Sequence, residues 1–177
     1  MDKKELRKLV RELKKQHSEE ELKTLSQSIA RSVHKRIERE ENCHTVLLYH
    51  SLPDEVCTHQ LIPLLAAEGV TVLLPTIAGD ELELHQYTGL QDMGLSSSFG
   101  IQESTGPLFT DYTQIDLAII PGMAFTTGGH RLGRGKGFYD RLLPQLSCPL
   151  IGVAFPFQIL SDIPVEPHDV CMTEVMY

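Results

Sequence analysis

Between residues 128 and 141 the chain reads GGHRLGRGKGFYDR, five glycines, three arginines and a lysine in fourteen positions. This is the composition of a loop built to hold an anion. Alternating glycines let the backbone turn its N–H groups toward a ligand, and the cations add charge that N–H dipoles alone cannot supply. Arg134 can grip a phosphate or carboxylate bidentately, and Lys136 acts as a mobile point charge. The stretch follows an apolar strand-like run and precedes a helix-like one, so a helix N-terminus and its macrodipole are expected to assist. It matches neither common phosphate motif. His130 stands where a Walker A loop needs its first glycine, and Gly137 follows Lys136 where a serine or threonine should reach the metal. The G-x-G-x-G spacing is not the dinucleotide fingerprint either.

Asp140 closes the stretch. A carboxylate beside a bound polyphosphate is most simply a Mg²⁺ ligand, the alternatives being stabilisation of the helix start or a salt bridge to Arg131 or Arg141. Asp169, flanked by Pro167 and His168, is the other isolated carboxylate in a turn-like setting. His50, Asp54 and Glu55 follow a β-favouring run, at the end of a strand where α/β folds place ligand contacts, although solvated acids are also common there.

The formal net charge of −8 argues against a general nucleic-acid binder, and its distribution says more than its sum. Of 16 lysines and arginines, 12 lie between Lys3 and Arg39; the other four are Arg131, Arg134, Lys136 and Arg141. Cations confined to the N-terminal region and the glycine stretch suggest that both face a common polyanion, while most of the N-terminal ones are read as a solvated helix surface. Lys3 and Arg7 stand one turn apart on one face.

At 177 residues the chain is read as a single domain, residues 1–177, with a core large enough to need no staple. No apolar run approaches a membrane span and no apolar segment follows the charged Met1–Glu5, so a cytoplasmic protein without membrane contact is expected. Cys43, Cys57, Cys148 and Cys171 show neither zinc nor disulfide spacing and are read as buried or incidental thiols.

The elements that must position these groups follow from periodicity. Leu6, Leu9, Val10 and Leu13 predict a helix over 3–16, and Ser18 with Glu21 a capping box opening a second helix to about Glu40. Residues 1–40 form this helical segment, packed on the rest. Core strands are expected at 45–49, 70–74 (ended by Pro75), 115–120 and 150–155, with a half-buried strand at 81–85. Helices are expected from Thr58 to Glu68, with Pro63 forcing a kink or a later start, and from Tyr139 to Leu146. Residues 87–110 read as a long loop, 158–160 as a helical turn, and 166–170 as the lead into a strand-like tail. The alternation predicts a three-layer α/β/α fold with an open, mostly parallel sheet.

The segments PGMAF at 121–125, RLGRGKGFYD at 131–140 and PVEPHD at 164–169 resemble the 5-formyltetrahydrofolate cyclo-ligase family, also called 5,10-methenyltetrahydrofolate synthetase. Lys3-Lys4-Glu5-Leu6-Arg7 and LYHSLPDE at 48–55 belong to the same pattern, in the family's order, so the resemblance spans the chain. It implies ATP- and Mg²⁺-dependent conversion of 5-formyltetrahydrofolate to 5,10-methenyltetrahydrofolate, ADP and phosphate. By the same resemblance, Lys3, Lys4, Glu5, Leu6 and Arg7 meet ATP together with Arg131, Leu132, Gly133, Arg134, Gly135, Lys136, Gly137, Phe138 and Tyr139. His50, Glu55 and the segment Arg134, Gly135, Lys136, Gly137 and Phe138 contact the folate; Asp140 and Asp169 hold Mg²⁺. Arg134 and Lys136 are the expected catalytic residues, acting on the transferring phosphate. Two positions depart from the pattern: Phe138 stands where a tyrosine is common, and Thr126 where an aspartate often follows. A monomer acting on small molecules is expected. The competing readings are a nucleotide or phosphate-metabolite binding module without turnover and an RNA-binding domain using the basic helix. Net acidity and 6% aromatic content weigh against the latter.

Overall fold

The computed structural model describes residues 1–95 and 102–177. The chain opens with α1 (Lys3–Lys14) and α2 (Glu19–Glu38), both started by capping boxes. Asp2 accepts the Glu5 N–H and Glu5 accepts the Asp2 N–H, both at 2.8 Å; Ser18 and Glu21 repeat the arrangement. Then follow β1 (Thr45–Leu47), α3 (Leu61–Ala67), β2 (Thr71–Ala78) and β3 (Glu81–Gln86), and next the short strands β4 (Met93–Leu95), β5 (Gln102–Ser104) and β6 (Leu108–Phe109). The remainder is β7 (Leu117–Pro121), β8 (Ala124–Phe125), β9 (Arg131–Leu132), α4 (Phe138–Leu142), β10 (Leu150–Val153) and β11 (Glu174–Met176).

Seven strands make one sheet in the order β11-β10-β7-β1-β2-β3-β6. The pairings from β11 to β2 are parallel, and β2-β3 and β3-β6 are antiparallel, so the sheet is mixed and mostly parallel, as expected. Residues alternate between its faces. Val46, Leu48, Val72, Leu74, Ile119 and Ile151 pack with Ile29, Val33 and Ile37 of α2 and Leu61, Ile62 and Leu65 of α3. Leu47, Leu73, Ala118 and Ile120 pack on the other face with Leu142, the last residue of α4, and Leu143 just after it. The N-terminal helix belongs to neither group. Leu6 and Val10 of α1 are each 3% exposed against Met123, Ala124, Leu132 and Ile163, a third apolar cluster, and this burial is worth about 1.5–3 kcal/mol per side chain.

Several elements differ from the sequence expectation, each for a physical reason. β2 runs through Pro75 to Ala78, because β1 pairs only with Thr71–Leu73; beyond that point a residue lacking an N–H interrupts no ladder on that side. α3 starts at Leu61, which puts Pro63 in the first turn where its missing N–H has no helical partner to lose. The segment 87–110 contains β4, β5 and β6; Ser96, Ser97, Ser98 and Gly100, part of the expected loop, lie outside the described residues. The expected 139–146 helix is five residues of α4 followed by a 3₁₀ turn at Leu143–Gln145, where Pro144 ends α-type bonding. The later turn lies at Pro156–Gln158 rather than 158–160, and the tail strand forms at 174–176 after a turn closed by the Asp169 N–H on the Glu166 carbonyl. No helix of the described residues is long and apolar enough to cross a membrane. Cys43 and Cys148 are partly buried and Cys57 and Cys171 exposed, all as free thiols, so burial holds for only two of the four.

Candidate active site

The glycine stretch divides in two. Between β7 and the anion-holding residues the chain inserts a hairpin, β8 against β9, whose turn contains Gly128 and Gly129. Thr126 builds that turn: its hydroxyl accepts the His130 N–H at 3.1 Å, which is the work done at the position where the family pattern often has an acid. Gly129 lies against the Met172 carbonyl and belongs to packing, not to the ligand loop. The hairpin returns the chain so that Gly133–Gly137 line a cavity of about 350 Å³ beyond the carboxyl ends of β1 and β7. There β2 and β7 flank β1 on opposite sides, the usual ligand position in an open α/β sheet.

Gly135 (φ 96°) and Gly137 (φ 74°) adopt left-handed backbone that a side chain resists. Gly137 is the N-cap of α4, but at five residues α4 has little aligned dipole, so N–H groups and cations carry the anion-holding capacity. Arg141 secures the loop from behind, donating to the Lys136 carbonyl at 3.2 Å and to the Asp80 carbonyl at the β2-β3 turn. Arg7 of α1 secures it from the side, its Nε donating to the Gly133 carbonyl at 2.8 Å. Lys3 donates to Asp169 at 2.8 Å. The two basic regions separated by 91 cation-free residues, 40–130, therefore meet.

The expected residues divide by environment. Arg134, Gly135, Lys136, Gly137, Phe138, Tyr139 and Asp140 share the cavity with His50 and Glu55. Leu6 and Leu132 are core residues, and Glu5 caps α1. Lys4 is exposed next to them. Arg134 pairs with Asp54 and Glu55, and Arg131 with Asp140; Lys136, exposed at the cavity, pairs with no carboxylate of the described residues. Asp140 and Asp169 are not brought into one cluster: Asp140 faces the large cavity, whereas Asp169 lines a smaller recess with His130 and Val170. Arg131 borders both.

Electrostatics sharpen these roles. Burial pulls the Arg131 pKa below its ordinary value and Asp140 opposes that pull. Burial raises the Tyr139 and Tyr49 hydroxyls well above their usual range, and the nearby Glu55 charge pushes both further, so both phenols stay protonated. Tyr49 donates to the Val56 carbonyl at 2.9 Å. Burial, and then the neighbouring His59, lower the His50 imidazole to about 4, which makes it a neutral hydrogen-bonding group near pH 7. His50 and His59 stack with ring centroids 4.0 Å apart.

Comparison with known proteins gives this geometry a context. The 5-formyltetrahydrofolate cyclo-ligase family profile matches residues 1–177. The chain belongs to that family. It is 34% identical over 140 residues to the 5-formyltetrahydrofolate cyclo-ligase of Mycolicibacterium smegmatis, an alignment covering 75% of this chain and 72% of that one. Its structure is similar to that of Aquifex aeolicus 5,10-methenyltetrahydrofolate synthetase, with a TM-score of 0.85, 31% identity, and coverage of 99% of this chain and 89% of that one. The corresponding enzyme of Mycoplasma pneumoniae superposes with a TM-score of 0.81 at 27% identity, covering 99% and 98%. The activity of the chain is that of a 5-formyltetrahydrofolate cyclo-ligase, an ATP-dependent ligase of folate one-carbon metabolism.

Sequence reasoning missed part of the cavity wall. Pro75, Ile77 and Leu82 from the β2-β3 hairpin form an apolar side, and Glu103 of β5 adds a carboxylate whose Oε1 accepts the Ile77 N–H at 2.9 Å. Alternation through 81–85 could have identified Leu82 as inward-facing. Nothing in the irregular 87–110 segment marked Glu103, and no local spacing links His59 to His50.

Proposed function

We propose that this cavity binds ATP and 5-formyltetrahydrofolate side by side and joins their chemistry through phosphorylation of the formyl oxygen. The observation that carries the reading is that Arg134–Phe138 and the pair His50 and Glu55, distant in sequence, line one cavity. The formyl amide oxygen attacks the γ-phosphorus, forming an O–P bond as the bond to ADP breaks. N10 of the folate then attacks the activated formyl carbon, the C–O bond breaks, phosphate leaves, N10 loses its proton, and the methenyl bridge remains. Such a transfer needs positioning and charge neutralisation rather than a nucleophilic side chain.

In this reading Lys3, Lys4 and Arg7 meet ATP at its edge, and the loop from Arg131 to Tyr139 wraps the phosphates. Arg134 and Lys136 bear on the transferring group. Lys136 suits this role because it faces the cavity without a carboxylate partner among the described residues. Glu55 and neutral His50 orient the pterin. Phe138 offers a ring for stacking without a hydroxyl, and Pro75, Ile77 and Leu82 keep water from the activated carbon.

The residues suit a magnesium ion in unequal degree. Asp140 uses Oδ1 for Arg131 while it borders the cavity, as a ligand shared with phosphate oxygens requires. Asp169 Oδ2 already receives the Lys3 ammonium and the Glu166 N–H, which leaves Oδ1, 3.9 Å from His168 Nε2, as the oxygen for a ligand role. The ion would supply charge neutralisation on the phosphates. The test is absorbance of methenyltetrahydrofolate formed from 5-formyltetrahydrofolate with and without ATP and Mg²⁺. Product only with both is expected. Nucleotide binding without product under any condition would favour a binding module instead.

A further inference from the structure

Arg134 reaches across the mouth of the cavity to the loop after β1. Its Nη1 and Nη2 donate to the two oxygens of Asp54 at 3.0 and 2.6 Å, and its Nε and Nη2 donate to Oε1 of Glu55 at 3.2 and 2.9 Å. The other Glu55 oxygen accepts the Leu52 N–H at 2.9 Å, and the Glu55 side chain is 9% exposed. Glu55 is therefore engaged at both oxygens, and four of the donor directions of Arg134 are taken. One cation between two carboxylates leaves a net negative charge where a polyphosphate must arrive. Burial works to lower the Arg134 pKa, but the Asp54 hydrogen bond and the charges of Glu55 and Asp54 reverse that, holding it above its ordinary value. Burial works to raise Asp54 as well, and Arg134 overcomes it, with Lys14 adding a smaller pull.

The consequence rests on the functional reading above, in which ATP takes Arg134 and the folate takes Glu55. While the bridge is closed, each ligand's residue is occupied by the other's. We propose that Asp54 is a positioning residue for Arg134, and that the bridge it shares with Glu55 makes ATP and formyl-folate bind cooperatively. ATP drawing Arg134 away releases Glu55. Folate engaging Glu55 removes one of the two acids that hold Arg134. Whichever ligand comes first bears the cost of opening, the second meets an opened site, and linkage makes the effect equal in both directions. Asp54 touches neither ligand in this scheme; it sets how firmly Arg134 is held.

The experiment is calorimetric titration of the full chain, with Mg²⁺ present, using the β,γ-imido analogue of ATP with and without saturating 5-formyltetrahydrofolate, and the converse titration. Each ligand is expected to tighten the other by about fivefold or more. In Asp54→Asn the analogue alone binds more tightly than to the unaltered chain, while the coupling, carried by the Arg134–Glu55 pair that remains, is kept. In Asp54→Glu, which keeps the charge, the affinity for the analogue alone stays closer to that of the unaltered chain. Independent binding in the unaltered chain overturns the proposal, as does unchanged affinity for the analogue alone in Asp54→Asn. If that variant does not fold, the unaltered chain and Asp54→Glu still decide. The two levels of failure are separable: two ligands that bind and turn over but do so independently sink only the coupling, whereas absence of binding or of methenyl product sinks the site assignment and the coupling with it.

Discussion

Arg131 and Asp140 form an ion pair at the site, Nη2 to Oδ1 at 2.6 Å, with the arginine side chain 6% and the aspartate 36% exposed. The guanidinium also donates to the Pro121 carbonyl at 3.4 Å and stands 5.4 Å from the Tyr139 ring centroid. Two of the three sequence readings of Asp140, metal ligand and ion-pair partner, are thus compatible: one oxygen holds Arg131 and the carboxylate still borders the cavity. Asp140→Asn leaves a buried guanidinium without its charge partner. It is expected to lose about 2–3 kcal/mol of stability in urea unfolding and to raise the Mg²⁺ concentration needed for half-maximal turnover. Unchanged stability together with unchanged metal demand would refute the dual role.

Lys136 makes the opposite prediction. It is exposed, lines the cavity and is paired with no carboxylate of the described residues. Lys136→Met should therefore change stability by less than about 0.5 kcal/mol. If the ammonium stabilises the transferring phosphate, kcat falls on the order of 100-fold while the folate KM moves little. A raised KM for ATP with intact kcat would show that Lys136 contributes ground-state binding only.

Local signals were legible where the chemistry itself is local. Ser18 and Glu21 announced the start of α2, the apolar stripe of α1 gave its buried face, and the cation-free interval paired Arg7 of the basic N-terminal region with the glycine stretch. What escaped depends on contacts through space. Two-residue strands such as β8 and β9 carry no periodicity, so the hairpin that separates Gly128 and Gly129 from the cavity could not be read. β2 passes through Pro75 because its neighbour ends, which only the pairing reveals. Glu103 reaches the cavity because β5 packs beside β2, with the Thr76 hydroxyl on the Ser104 carbonyl at 3.3 Å.

His50 predicts a pH dependence. Burial and then His59 lower its pKa from 6.5 to about 4. Between these values the unfolded chain binds a proton that the folded chain refuses, so the neutral imidazole's contribution is complete above about pH 6.5 and is lost as pH falls toward 4. The urea midpoint should decline across that window, and His50→Gln should flatten the decline. A decline of the same slope in the variant would assign it to other groups.

The contact of α1 with the glycine loop gives the last prediction. Arg7 Nε donates to the Gly133 carbonyl at 2.8 Å, and a Cβ placed on Gly135 would stand 3.3 Å from the Arg7 guanidinium carbon. With φ at 96°, Gly135→Ala both strains the backbone, by about 1–2 kcal/mol, and presses on Arg7. Arg7→Met removes the clamp and leaves the loop's own conformation unstrained. If α1 holds the loop in shape for the phosphates, each change raises the ATP KM on the order of tenfold, while the folate KM, which in the proposed reading depends on His50 and Glu55, stays within about twofold. Because both act on one contact, the double variant should fall short of the sum of the two losses. Full additivity would mean that Arg7 and Gly135 affect ATP independently, and α1 would then be packing rather than part of the phosphate site.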